Sequence, residues 1–385
     1  MNLWIIQNRP GGRDFAVYWS AARTLLVFDS DPYSELAAAN AQAVMNEISP
    51  SSMQAAPHLD LPLYTEMMVF PFASIQDFQT ALAAWMVLLE AALIGTGLLS
   101  LRLLDVRARL SLLALPLFAV FWVQAIWPLT EGNSIILATL FCVAGLVALQ
   151  SAREEAAGVL LAMGSFRFLA LGPFLLFIIG WSIWRRHWRL PVAYLMSLCI
   201  LVAVSYFFFP NWFIPYVRAI LANLRNIDLL STGKLVTGSF PGLGLRFSQI
   251  LTVLTAAVLF WEWWSGRNGD FRHMLWTASL SLALTPFLGF PTNPINYSVL
   301  IVPVALFTLL VEDRWGKGSR AIIIPVLGII LVGLWMVFIY TLRPLFTMFL
   351  PAPIAAIVCL YWVRWWAIRP SRTWADSVSA TLPRA

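Results

Sequence analysis

Asp14 begins a run of residues that could carry out chemistry: Asp14-Phe15-Ala16-Val17-Tyr18-Trp19-Ser20-Ala21-Ala22-Arg23, closed ten residues later by Asp31-Pro32-Tyr33. A carboxylate held beside aromatic rings at a membrane surface can act as a general base, accepting a proton from a hydroxyl as that oxygen attacks. On a helix starting near Asp14, Asp14, Tyr18, Ala22 and Leu25 share one face, and Phe15, Trp19 and Leu26 lie beside it. This predicts a short amphipathic helix lying along the membrane surface. The simpler alternative makes Asp14 an N-cap, with Arg13 and Arg23 as interfacial anchors.

Other polar residues stand in apolar surroundings. Arg167 lies inside the apolar run 157–180, and a guanidinium at membrane depth either binds a partner such as phosphate or snorkels to the interface. Arg218 and Arg225 follow Trp212-Phe213-Ile214-Pro215-Tyr216, where they reach a lipid phosphate or face anionic headgroups. Glu131-Gly132-Asn133 reads as a helix cap or as a pocket wall at the level of Asp14. His58 and Asp60, with Tyr64 and Glu66 close behind, form an acid/base pair or a solvated loop. Asp31-Pro32-Tyr33 has the form of an Asx turn. The spacing of Asp29, Asp31 and Glu35 matches no calcium loop, and HExxH, P-loop and GxGxxG patterns are missing, so no metal or other cofactor is expected.

The composition says what must position these groups. With 60% hydrophobic and 11% charged residues, and a mean hydropathy of +0.78, the chain reads as an all-α, polytopic membrane protein. Its 19 Trp and 26 Phe suit interfacial belts and contacts with lipid or sugar. The net charge of +6 is spread over short basic clusters between apolar runs, which argues for a positive-inside arrangement and against nucleic acid. Cys142, Cys199 and Cys359 all fall in apolar runs and read as buried hydrophobes.

About nine runs can span a bilayer: 80–101, 110–127, 133–150, 190–209, 245–264, 274–290, 296–311, 321–341 and 345–363. Placing the basic turns in the cytoplasm puts 1–79 and 210–244 outside as the two long loops of a single domain, 1–385. Residues 157–180 break the alternation, because Arg153 and Arg185–Arg189 both look cytoplasmic. A hairpin of two short arms, turning at Ser165-Phe166-Arg167-Phe168, restores it. Asn2-Leu3-Trp4-Ile5-Ile6 reads as the end of an apolar helix, so a further span is expected before it.

Taken in order, Asp14 with Tyr18, then Asp31-Pro32-Tyr33, Leu63-Tyr64, Phe70-Pro71-Phe72, Glu131-Gly132-Asn133, the Gly158…Phe166-Arg167-Phe168…Pro173 hairpin and Thr285-Pro286…Asn296-Tyr297 form a recognisable series. The chain resembles the polyprenol-phosphate-mannose-dependent mannosyltransferases of glycosyltransferase family 87, in the GT-C superfamily of membrane glycosyltransferases. The resemblance implies a bacterial-type cell-membrane enzyme whose active site, covered by a surface helix and outside loops, faces away from the cytoplasm. It implies transfer of a hexose, mannose by family, from a polyprenyl phosphate to a glycan or glycolipid, with inversion. Asp14 takes the place of the base. Arg167 stands near the position of a family lysine, with Arg218 and Arg225 as further phosphate-binding candidates. Tyr18, Arg23, Tyr33, His58, Tyr64, Glu131, Asn133, Asn296 and Tyr297 are the candidate pocket residues. Asn296 lies where the family often has a histidine. A transporter or flippase of lipid-linked sugars is the alternative in another class, although no duplicated halves are visible. A non-catalytic relative is a third reading.

Overall fold

The computed structural model describes residues 1–8, 11–48, 57–104, 111–224, 231, 233, 235, 237, 242, 244–289, 292–341 and 347–368. These residues are helical almost throughout, with no β-strand among them. The chain begins with α1 (Asn2–Asn8), α2 (Arg13–Phe28), α3 (Glu35–Ile48) and the single turns α4 (Leu63–Glu66) and α5 (Phe70–Ala73). The expected outside loop 1–79 thus contains helix: Leu36-Ala37-Ala38-Ala39 and its neighbours have the propensity to form one.

A long helix, α6 (Phe78–Ser100), follows, capped by the Asp77 carboxylate, which accepts from the Thr80 N–H. Next come α7 (Ser111–Phe121) and α8 (Val123–Glu131), bent by 44° about Trp122, so the run expected as one straight span is broken. α9 (Ile135–Gln150), α10 (Glu154–Gly164), a 3-10 turn at Ser165–Arg167, α11 (Phe168–Trp184), α12 (Arg189–Phe208) and α13 (Phe213–Leu224) continue the chain. It ends with α14 (Gly244–Gly266), α15 (Phe271–Leu284), α16 (Ile301–Trp315), α17 (Arg320–Tyr340) and α18 (Pro351–Ile368). By length and composition six helical stretches among the described residues can cross a membrane, or seven with the bent pair, against the nine full spans that the sequence suggests.

Two of those stretches double back. Glu154, at the start of α10, lies 2.6 Å from His187, just beyond α11, and Arg189 reaches Glu155 at 3.3 Å. A straight helix over 154–184 would separate those ends by about 45 Å at 1.5 Å per residue. The chain therefore reverses at Ser165–Arg167, and α10, at about 16 Å, is too short to cross a 30 Å core alone. Gly158 lets α12 pack tightly along this arm, because a Cβ there would stand 2.5 Å from the Leu190 carbonyl oxygen. The second reversal, at Gly316–Ser319, returns α17 so that Phe338 packs on Trp127 with ring centroids 5.3 Å apart.

The core lies around α15 and α16, which are buried from His273 to Leu284 and from Ile301 to Glu312. Outward faces are apolar instead: Leu195, Met196 and Ile200 on α12, Val253, Leu254 and Phe260 on α14, and Ile329, Val332 and Ile339 on α17. Such a surface suits lipid. Helix α2 departs from the expected surface helix. Every residue from Phe15 to Ala22 is buried, because Phe15 stacks on Trp85 and Trp19 meets Phe78 edge-on.

Both feet of the hairpin lie at the end of the bundle away from α2. Cysteines replacing the exposed Ser151 and Arg186, in a Cys199→Ser background, are expected to react with an impermeant maleimide from one side of the membrane only. Labelling from opposite sides would contradict the reversal.

Candidate functional site

At the other end of the bundle, α2 starts from Gly12, whose φ of +88° opens the helix without a side-chain cap. Asp14 lies in the first turn but caps nothing. Instead its Oδ2 accepts from the Asn133 amide Nδ2 at 2.7 Å, and Oδ1 has no protein partner among the described residues. Asn133 is held in place in turn, since its Oδ1 accepts from the Ile135 N–H at 2.8 Å at the start of α9.

Gly132 makes this approach possible. It ends α8 with φ +68°, and a Cβ there would lie 2.6 Å from the Cβ of Phe15 on α2. Its carbonyl accepts from the Trp85 indole at 2.9 Å, so the turn is tied to α6 as well. Next to it, the Glu131 carboxylate accepts from the Arg13 backbone N–H at 3.1 Å, in the first turn of α2.

Arg167, at the hairpin tip, completes the group. Its Nη1 donates to Asp60 Oδ2 at 3.2 Å, and its Nη2 donates to the Ser134 hydroxyl at 3.0 Å and to Asn133 Oδ1 at 3.4 Å. Nη2 also makes a short hydrogen bond to the Tyr18 hydroxyl. The Arg167 side chain is 10% exposed and that of Asp60 42%, so the site opens on the Asp60 side. Burial raises the pKa of Asp14 above the ordinary carboxylate value, while the Asn133 hydrogen bond and the Arg167 charge pull it back. Burial also raises the Tyr18 pKa, so this phenol stays protonated.

Of the residues expected from sequence, Asp14, Tyr18, Asn133 and Arg167 converge, with Glu131, two residues before Asn133, bonded to the Arg13 N–H beside them. Tyr64 lines the flank beside Ser165, its hydroxyl pushed up to about 12 mainly by burial. The others do different work. Arg23 donates to the Ala73 carbonyl at 3.2 Å and stacks on Trp19, clamping α2 to α5. The Tyr33 hydroxyl donates to the Leu61 carbonyl at 2.9 Å, and the Tyr33 N–H closes the Asx turn on Asp31. His58 exchanges two hydrogen bonds between its backbone and the Asn223 side chain, which fastens α13 over the first loop.

Tyr297 is buried and donates to the Phe349 carbonyl at 3.2 Å, a packing role, while the buried Oδ1 of its neighbour Asn296 has no hydrogen-bond partner. Arg218 points outward, on the side of α13 away from the buried Trp212, Ala219 and Asn223. Arg225 lies outside the described residues.

Sequence reasoning left Asp60, Ser134 and Glu66 out of the site. Asp60 was visible as half of a His-x-Asp pair, but its partner is Arg167, more than a hundred residues away. Ser134 directly follows Asn133 and could have been taken with it. Glu66 is fully buried, with neither carboxyl oxygen hydrogen-bonded, and burial raises its pKa well above the usual range.

Compared with known proteins, the chain matches the family model for glycosyltransferase family 87 over residues 62–291, more than half its length. The match spans Tyr64, Glu131, Asn133 and Arg167, and Asp14 precedes it. No curated protein and no solved structure matches the chain.

Charge-assisted hydrogen bonds contribute about 1.5–3 kcal/mol each. Arg167→Met is therefore expected to lower stability by about 3 kcal/mol in thermal unfolding, whereas Arg218→Met stays within about 0.5 kcal/mol. Equal costs for the two variants would contradict the assignment of Arg167 as the hub.

Proposed function

The chain belongs to glycosyltransferase family 87 and is an integral membrane glycosyltransferase, and from that premise we propose that it transfers a hexose, mannose in the first instance, from a polyprenyl phosphate to a glycan or glycolipid. Asp14 is the general base and the reaction inverts the anomeric centre. The observation that carries this reading is the state of the Asp14 carboxylate: one oxygen held by Asn133, the other without a protein partner among the described residues, in surroundings that raise its affinity for a proton.

In the proposed step the acceptor hydroxyl attacks the anomeric carbon from the face opposite the leaving phosphate. Its proton passes to Asp14 as the new C–O bond forms. The old bond between that carbon and the phosphate oxygen breaks, and the electron pair leaves with the phosphate. Arg167, as a fixed cation, stabilises the charge that develops on the leaving group, in surroundings where such a charge counts for more than in water. A phosphate reaching it from the Asp60 side competes with that carboxylate for Nη1.

An extracytoplasmic location for this chemistry is supported by the position of the basic residues. Arg102, Arg185 and Arg272 gather at the end of the bundle opposite Asp14, and basic ends face the cytoplasm. The first loop and α13 then cover the site from outside.

Asp14→Asn is expected to reduce transfer from labelled polyprenyl-phosphate-mannose in membranes by about 10²–10⁴-fold, the usual contribution of a general base, with normal insertion. Turnover within a few-fold of the parent would reject Asp14. The pH profile gives a second test. Asp14 accepts a proton only when ionised, so kcat/KM falls as pH drops through its raised pKa, and the acid limb lies above the ordinary carboxylate range. The Asn133 hydrogen bond favours the ionised form, so Asn133→Ala moves that limb to higher pH; an unmoved limb would dissociate Asn133 from the base.

A further inference from the structure

The end of the bundle opposite Asp14 contains a cavity of about 890 Å³, where the C-terminal ends of α6 and α9, the feet of the hairpin and the start of α15 meet. That volume falls in the range of small-molecule sites. Its charged lining consists of Arg102, Glu154, Arg185, His187, Asp270 and Arg272. Most of these are committed to one another or to neighbours. Glu154 holds His187 at 2.6 Å, Asp270 caps α15 by accepting from the His273 N–H at 3.0 Å, and Arg272 donates to Asp313 at 2.8 Å.

Arg102 and Arg185 remain, two guanidiniums lining one cavity with no acceptor among the described residues. Both are exposed and carry positive charge, which attracts an anion, and phosphate geometry matches the guanidinium fork. Leu101, Leu104, Trp181 and Phe271 form an apolar wall in the same cavity, which a free inorganic ion would leave unused. The level along the bundle favours a lipid source. Beside the cavity, Arg267 sits 3.4 Å over the ring of Trp264 and 5.0 Å from that of Trp184, and both tryptophans are half exposed. Such aromatic and basic pairs sit at the headgroup layer.

We propose that this cavity binds the phosphoryl headgroup of an anionic phospholipid, with Arg102 and Arg185 on the phosphate and the glycerol end against the apolar wall. The lipid then occupies the base of the hairpin whose tip carries Arg167. This proposal rests on the cavity alone and stands apart from the reading of Asp14.

The test is native mass spectrometry of the purified full chain, equilibrated in detergent with equal amounts of phosphatidylglycerol and phosphatidylcholine. The parent is expected to retain phosphatidylglycerol preferentially. Arginines near a charged membrane surface contribute about fivefold each to anionic-lipid binding, so Arg185→Gln loses about fivefold and Arg102→Gln/Arg185→Gln more. Arg102→Lys/Arg185→Lys keeps most of the retention and serves where the glutamine pair does not fold. Equal retention of the two lipids, or glutamine variants that hold as much phosphatidylglycerol as the parent, would overturn the proposal. Complete displacement of the lipid by inorganic phosphate at about its cellular level would also overturn it, by making the ligand a soluble anion.

Discussion

The guanidinium of Arg167 is the interaction on which the geometry of this protein's candidate site depends. One side chain joins the hairpin tip to Asp60 in the first loop, Tyr18 on α2 and the Asn133-Ser134 turn before α9. Asn133 then passes that constraint to Asp14. Four stretches distant in sequence thus meet at one buried cation. A cation removed from water is costly unless its charge is balanced and its donors find acceptors. Asp60 supplies the balance, and three neutral acceptors meet Nη2, while the buried Nε has no partner among the described residues.

The same arrangement suits the anions expected at the site. Asp14 and Asp60 are both carboxylates, and Asp60 raises the proton affinity of Asp14 while Arg167 lowers it. The proposed base depends on that opposition: burial raises its proton affinity, and the cation pulls part of that rise back. The half-exposed Asp60 is the component that can yield its place. In the proposed reaction the donor phosphate takes the place of Asp60 at the guanidinium.

Part of this arrangement was legible in the sequence. Asp14 and Tyr18 are one helical turn apart and do share a face, and Glu131-Gly132-Asn133 does stand at their level. The odd flanks of 157–180 pointed to a reversal, and the Glu154–His187 contact shows it. Other features depend on tertiary contacts that no local pattern carries. The spacing of α2 suggests a helix on a surface, yet Trp85 and Phe78 close over its far side, and only the folded chain brings them there. Arg218, expected to reach a lipid phosphate or face anionic headgroups, lies on the outward side of α13, while Tyr216 on the same helix packs on Tyr33. Asp60 and Arg167 are linked by geometry alone.

The proposed reaction is a single displacement assisted by one carboxylate, and the stereochemistry of the product reports on it. Transfer from a polyprenyl-phosphate sugar of defined anomeric configuration, followed by nuclear magnetic resonance of the newly formed linkage, reads it without ambiguity. Opposite anomeric configurations in donor and product are predicted. Retention would require two displacements or an enzyme-bound sugar, and would contradict the role given to Asp14.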